Sequence, residues 1–313
     1  MLEAETSALA DALALVEDSR PDFVPPQRTL LGALESRTPE SHTVVGLTGA
    51  PGVGKSTLAG ALIGHWTDRG LGVGVTAVDP SSRASGGALL GDRARLRIEP
   101  HAPVFVRSMA ARDQLGGLAP ATRAAVVVLR AAFPWTLVET VGVGQSEIDV
   151  DSVADSVALV LQPGSGDTLQ FMKAGILEIP DLLVVHKWDL GAAAERTRAD
   201  LSLILRADAA EHAGWEPPII GASAATGFGV DALAEAFEEH RAHLDRSGTL
   251  GTRRARSRVE WALELFVRRY GTLGLGRVGG RAAAEARVRD APGSALDAFS
   301  DLATQAGLEP DRA

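Results

Sequence analysis

Apolar positions along this chain keep two alternating rhythms. Residues 42–48 (His-Thr-Val-Val-Gly-Leu-Thr) form a short β-branched run, as expected of a buried parallel strand. Residues 56–69 then carry Leu58, Leu62, Ile63 and Trp66 at helical spacing, with Gly70 as the stop. The same exchange repeats downstream. Strands are predicted over 73–78, 104–106, 136–139, 157–161, 182–186 and 219–222, and helices over 119–132, 168–175, 192–206 and 229–244. Such alternation predicts an α/β fold, a mostly parallel sheet with helices on both faces. Ahead of it, Leu9, Leu13 and Val16 mark a helix over 2–16, which Pro21, Pro25 and Pro26 break before a second helix near 28–37. After Arg246 the character changes. Residues 247–251 (Ser-Gly-Thr-Leu-Gly) read as a hinge, 253–270 are arginine-rich with Val259, Leu263, Leu265 and Phe266 apolar, and a last helix is predicted over 295–306. Three units follow: a helical extension over 1–42, an α/β domain over 43–246 and a helical arm over 247–313.

Composition narrows the class. The 313 residues suffice for one large domain plus attachments, and 45% apolar with 23% charged content is an ordinary globular balance. A net charge of −9 argues against general affinity for nucleic acid or anionic membranes. The arginine-rich stretch also holds Glu260 and Glu264, so it reads as a solvated helix face. With no cysteine, disulfides and thiolate metal sites are excluded. The first 18 residues carry acids and no basic cluster, unlike a signal peptide, and no apolar run reaches membrane-spanning length. The expected location is cytoplasmic.

Chemistry enters through lysine, of which the chain holds only Lys55, Lys173 and Lys187; every other fixed cation is arginine. A compact ammonium and a planar guanidinium do different work, so lysine would persist where arginine fails. Lys55 lies in Gly49-Ala50-Pro51-Gly52-Val53-Gly54-Lys55-Ser56-Thr57, which fits G-x-x-x-x-G-K-[ST], and this P-loop stands where it must, between a strand and a helix. Its glycines allow backbone N–H groups to turn around phosphates, and the following helix adds its positive end. Lys55 should reach the β- and γ-phosphates, and Ser56 should offer its hydroxyl to Mg²⁺.

Further motifs fall at strand ends, where nucleotides bind in such sheets. Asp79 closes a strand in Val78-Asp79-Pro80-Ser81-Ser82, and a carboxylate there suits Mg²⁺ or its waters; Asp92 follows in a glycine-flanked loop. Glu139 ends a strand in Glu139-Thr140-Val141-Gly142-Val143-Gly144-Gln145-Ser146-Glu147, the arrangement a γ-phosphate sensor needs, with Gly142 offering an N–H. His186-Lys187-Trp188-Asp189 stands where guanine-binding proteins carry Asn-Lys-x-Asp. There Asp189 would accept from the guanine N1–H and amine while the Lys187 stem covers the ring. Ser223, Ala224 and Ala225 fit the last base-side loop. His186 departs from the motif, and an imidazole is expected not to copy an amide's donor-plus-acceptor pair.

Together these strings resemble the MeaB/ArgK-type GTPases, the methylmalonyl-CoA-mutase-associated proteins of the SIMIBI class, over about 43–245. The resemblance rests on Val78 to Ser82, Gly86-Gly87 through Gly91-Asp92, Leu115-Gly116-Gly117, Glu139 to Glu147, and Gly164-Ser165-Gly166-Asp167-Thr168-Leu169-Gln170 with Lys173. It implies a G domain related to signal-recognition and metallochaperone GTPases, an N-terminal helical extension and a C-terminal dimerisation arm making a homodimer. It implies GTP hydrolysis, with GTP/GDP and Mg²⁺ as ligands, that gates adenosylcobalamin delivery to a B12-dependent acyl-CoA mutase and protects it, an adenosyltransferase being a second partner. Lys55, Asp92 and Glu139 would be catalytic, and Ser56, Asp79, Asp92 and Glu139 would serve the metal. Gln145, Glu147, Gly164, Asp167 and Lys173 would form switches that sense nucleotide and partner. The competing reading is a P-loop kinase or ATPase of the transport-kinase type, which would need an acceptor pocket and a base of its own. A nickel- or zinc-insertion GTPase would call for a Cys/His cluster, and cysteine is absent.

Overall fold

A computed structural model describes residues 3–18, 20, 24–79, 96, 98–99, 102–110, 118–140, 149–164, 180–208 and 214–309. Two helices lead, α1 (Glu3–Glu17) and α2 (Val24–Arg37). The α/β core then runs β1 (Thr43–Thr48), α3 (Lys55–Asp68), β2 (Val73–Asp79), β3 (Val104–Ala110), α4 (Pro120–Ala132), β4 (Trp135–Glu139), β5 (Ser156–Leu161), β6 (Leu182–Val185), α5 (Ala192–Asp208), β7 (Ile219–Gly221) and α6 (Val230–Ser247). Helices α7 (Thr249–Arg277), α8 (Arg281–Asp290) and α9 (Ala295–Gln305) finish the chain. No described helix is long and apolar enough to cross a membrane.

The seven strands form one sheet in the order β3-β2-β4-β1-β5-β6-β7, every pair parallel. β1 is central, and later strands add on both sides of it. Side chains alternate between the two faces. Val45, Leu47, Val75, Leu137, Val160 and Val184 pack with Leu58, Leu62 and Trp66 of α3 and Leu233 and Phe237 of α6. On the other face Leu159, Leu161, Leu183 and Val185 meet Leu201 and Leu205 of α5, while Val44, Val138 and Val157 meet Val126 of α4. Trp66 and Trp135 stack at 4.7 Å to close the core beneath α3.

β3 is longer than the predicted 104–106. It pairs with β2 from Val73↔Val104 to Asp79↔Ala110. Arg107 and Ser108 hid its second half from the apolar pattern, and Arg107 is tolerated because its guanidinium meets Glu17 of α1 at 2.5 Å. The predicted helix over 168–175 lies outside the described residues.

The helices at the two chain ends share one core with α4. Leu9, Leu13, Val16 and Leu31 pack with Ala125 and Leu129, with Val259, Leu263 and Phe266 of α7, and with Phe299 and Leu302 of α9. The apolar stripe of the arginine-rich segment is therefore spent inside its own chain. The expected hinge over 247–251 contracts to one residue. Gly248 (φ +69°) ends α6 and precedes α7 directly, because its left-handed backbone lets one helix stop and the next begin without a loop. α7 breaks once, at Gly271 (φ 60°, ψ −158°).

Candidate nucleotide site

The P-loop leaves the carboxyl end of β1 and enters α3. Gly49 (φ +140°) must be glycine, since a Cβ would lie 2.2 Å from the carbonyl oxygen of Val160. Gly54 (φ +101°) caps α3, and a Cβ there would strike the His186 ring at 2.6 Å. The first-turn N–H groups of α3 thus open at the loop, beside Lys55. Lys55 is buried, and its Nζ donates to the carbonyls of Gly49 (2.7 Å) and Ala50 (3.0 Å). Val53 is fully buried, whereas Pro51, Gly52 and Thr57 are exposed. The ammonium thus spans its own loop from the inside, in reach of whatever the loop encloses.

Acids meet the P-loop from the neighbouring strands. Glu139 ends β4, aligned with Leu47 of β1 on one side and Ala77 of β2 on the other. Its carboxylate is 8% exposed and accepts from the Ser56 hydroxyl. Thr140 follows and ties β4 to β1, its N–H donating to the Leu47 carbonyl at 3.2 Å. The backbone of Asp79 closes β2 at the same edge of the sheet. A seryl hydroxyl and a buried carboxylate are hard oxygen donors, chemistry that suits Mg²⁺. Asp92, Gly142, Gln145, Glu147, Asp167 and Lys173 lie outside the described residues. Gly164 is described; it turns after β5 with φ +75°.

The base side is built on the ends of β6 and β7. Lys187 adopts φ 58°, ψ 44°, the left-handed conformation otherwise held among the described residues by glycine. That turn lets its Nζ donate to the Gln162 side chain (2.6 Å) and the Gly52 carbonyl (3.3 Å), laying the stem across to the P-loop. Gln162, just past β5, went unremarked in the sequence; its place immediately after a buried strand was the available signal. Asp189 is exposed and accepts from the Ser223 hydroxyl at 2.6 Å, which with lesser contributions holds its carboxyl below the usual range. The Asp189 carboxylate therefore stands as an ionised acceptor. Trp188 lies flat on Gly221, where a Cβ would meet its ring at 2.4 Å, and stacks on exposed Phe228 at 6.2 Å. Ala224 is half-buried and Ala225 exposed on the same loop.

His186 overturns one expectation. Its Nδ1 lies 2.9 Å from the Val53 carbonyl, and its Nε2 lies 3.4 Å from the Ala224 N–H. A carbonyl only accepts and an amide N–H only donates, so the ring is the neutral Nδ1–H tautomer. Burial holds its pKa below the ordinary histidine value, which favours that form. The two nitrogens supply one donor and one acceptor, and they join the P-loop to the loop after β7.

A G-x-x-x-x-G-K-S loop at the end of the central strand, with Lys187 and Asp189 just past β6, is the arrangement of a P-loop GTPase. The family model for "Methylmalonyl Co-A mutase-associated GTPase MeaB" matches residues 9–271, and the chain belongs to that family. A protein of Pyrococcus abyssi is 47% identical over 227 residues, 72% of this chain and 70% of its own length. GTPase ArgK of Escherichia coli is 35% identical over 267 residues, 83% of this chain and 79% of its own. A solved structure described as an LAO/AO transport system kinase is 27% identical with TM-score 0.67, covering 90% of this chain and 85% of that one.

Proposed function

We propose that the chain is a GTP-hydrolysing chaperone that gates adenosylcobalamin loading of a B12-dependent acyl-CoA mutase, methylmalonyl-CoA mutase or a relative, and protects that enzyme. One observation carries this reading: the family match extends from α1 across the nucleotide loops into α7, so it includes the helices that surround the G fold as well as the fold itself. Lys55 neutralises the β- and γ-phosphates, the α3 N-terminus holds them, and Asp189 with Lys187 selects and covers guanine. Ser56 and Glu139 fit Mg²⁺, with Asp79 and Asp92 completing its set; the cation supplies charge neutralisation on the triphosphate when bound. Gly142 senses the γ-phosphate, and Gln145 and Glu147 respond to it.

The segment from Gly164 through Asp167 to Lys173 acts as the partner-dependent switch, and two copies assemble as a homodimer through the helical arm over 247–313. Because Val259, Leu263 and Phe266 are buried in their own core, the contact uses other faces of the arm, where Leu273 is 84% exposed. The adenosyltransferase that makes the cofactor is the second partner.

The test is a pull-down of the B12-dependent acyl-CoA mutases of the source organism, with a non-hydrolysable GTP analogue and with GDP. A mutase retained in a nucleotide-dependent manner, with hydrolysis accelerated by it, supports the reading. Failure to retain any such mutase in either state would overturn it. Lys173→Ala should leave basal hydrolysis within about threefold while removing most of the acceleration, a contact made only in the complex.

A further inference from the structure

A second cavity lies at the opposite end of the sheet from the nucleotide loops, beside Val44 at the start of β1 and Asp155 just before β5. It measures about 250 Å³ and sits between α4 and α7, with Glu35 of α2 on its rim. Arg123 and Arg130 enter it from α4, and Arg253, Arg254 and Arg258 from α7: five guanidinium groups against two carboxylates.

Much of that charge is balanced, by Asp155 on the cavity wall and by three acids around it. Arg253 pairs with Asp151 (2.6 Å) and Asp181 (2.9 Å), Arg254 with Asp155 (2.7 Å), and Arg123 with Glu264 (3.1 Å). Arg258 donates to the carbonyls that end α8, Val288 at 3.1 Å and Ala291 at 3.0 Å. Arg130 forms no ion pair among the described residues.

Eight buried side-chain atoms among the described residues have no partner, and four of them belong to residues lining this one cavity: Nε of Arg123, Arg130 and Arg253, and Nε1 of Trp261. All four are donors. Arg123 is 6% exposed and Trp261 5% exposed, so solvent at large does not satisfy them. Buried donors normally have acceptors, and orphans gathered in one place mark a missing acceptor rather than scattered packing defects. Water would accept from them but would leave Arg130 a largely buried cation without an ion pair among the described residues.

We propose that this cavity is a binding site for a compact phosphate-class oxyanion, either free or as the head of a small phosphate monoester. Two helices bring donors from opposite sides, which suits a group with several oxygens better than a flat two-oxygen carboxylate. Burial lowers the pKa of Arg130, the cost of a cation kept from water, and an anion removes that cost. Burial also raises Glu35 to about 7, so near neutral pH it is only partly ionised beside Arg130. The site adjoins the turn at Val150–Ser152, whose Ser152 carbonyl accepts from both Arg123 and Ser257. Its occupant would therefore fix α4, α7 and that turn together, independently of the nucleotide.

The test is equilibrium dialysis of the full chain against radiolabelled inorganic phosphate at constant ionic strength, first with GDP and magnesium in excess, then with a non-hydrolysable GTP analogue. The expected result is saturable uptake in both states, with glycerol phosphate as unlabelled competitor separating the ester from the free anion. Arg130→Met should weaken uptake by about tenfold or more, the effect of one charge-assisted contact, and Arg130→Lys should recover part of it. Circular dichroism shows whether each variant is folded. No saturable uptake by the wild type overturns the proposal. Uptake abolished by the analogue would place the phosphate beside the P-loop and overturn it equally, as would a folded Arg130→Met that binds like the wild type. None of these results depends on the mutase reading.

Discussion

The Nδ1–H of His186 donates to the carbonyl of Val53 at 2.9 Å, so the base-side motif holds the P-loop directly. The Nε2 on the far side of the ring accepts from the Ala224 N–H at 3.4 Å. His186→Asn should keep one donor and one acceptor and bind GDP within about threefold of the wild type. His186→Ala loses both and should weaken GDP by about tenfold or more. Titration of labelled GDP measures this, and an alanine variant that binds as tightly as the wild type would show the bridge to be idle.

Lys55→Ala should abolish GTP hydrolysis and weaken triphosphate binding, since backbone N–H groups alone do not neutralise the γ-phosphate. Lys55→Arg should fail nearly as badly. The ammonium is buried between the carbonyls of Gly49 and Ala50, and a planar fork does not fit there. Turnover of GTP and binding of a fluorescent GTP analogue give the two readings. Near wild-type turnover in either variant would remove the P-loop assignment.

Asp189→Asn should lose most of the preference for GTP over ATP and gain affinity for xanthosine nucleotides, because an acceptor becomes partly a donor. Ser223→Ala should cost less, about fivefold in GDP affinity, since it removes the neutral hydroxyl that steadies Asp189 at 2.6 Å. Competition of GDP, ADP and XDP on the three proteins tests it, and equal affinity of the wild type for GDP and ADP would refute guanine selectivity.

Glu35 sets a pH dependence. Burial raises its pKa from 4.5 to about 7; Arg130 and Arg258 oppose the rise and Asp297 adds slightly to it. The folded chain therefore holds this proton more tightly than the unfolded chain, and its stabilising contribution is full below pH 4.5 and is lost as pH rises through about 7. Glu35→Gln keeps the neutral form at every pH. The variant should match the wild type at pH 4 and exceed it at pH 8, by on the order of 2–3 kcal/mol. Urea denaturation at the two pH values decides it; a difference independent of pH would show that Glu35 titrates normally.

All seven strands of the sheet were legible from apolar runs: β1, β4, β5 and β6 are buried on both faces and have few ways to look other than apolar, and half-buried β7 showed through Ile219 and Ile220. The P-loop was legible because Gly49 and Gly54 hold backbone angles and close approaches that other residues cannot meet. Long-range partnership was harder to read. The second half of β3 was hidden because Arg107 depends on Glu17, ninety positions earlier. The satisfaction of His186 depends on Val53 and Ala224, which no local pattern links to it. The arginines of α7 looked like a solvated face, yet Arg253 and Arg254 point their charge at Asp181 and Asp155 beneath the sheet. The cavity they line has no local signature at all.

The core shared by Leu13, Leu31, Phe266 and Leu302 makes α1 and α2 depend on helices more than two hundred residues away. α1 and α2 find part of their partner surface on α4, at Ala125 and Leu129, but α7 and α9 supply the rest. Until those helices are in place, the stripes of α1 and α2 are only half covered. A chain cut short near residue 250 would keep every nucleotide motif and still display an open apolar seam at its amino end. Such fragments should be drawn to chaperones or aggregate, and the helical arm acts as a clasp over α1, α2 and α4.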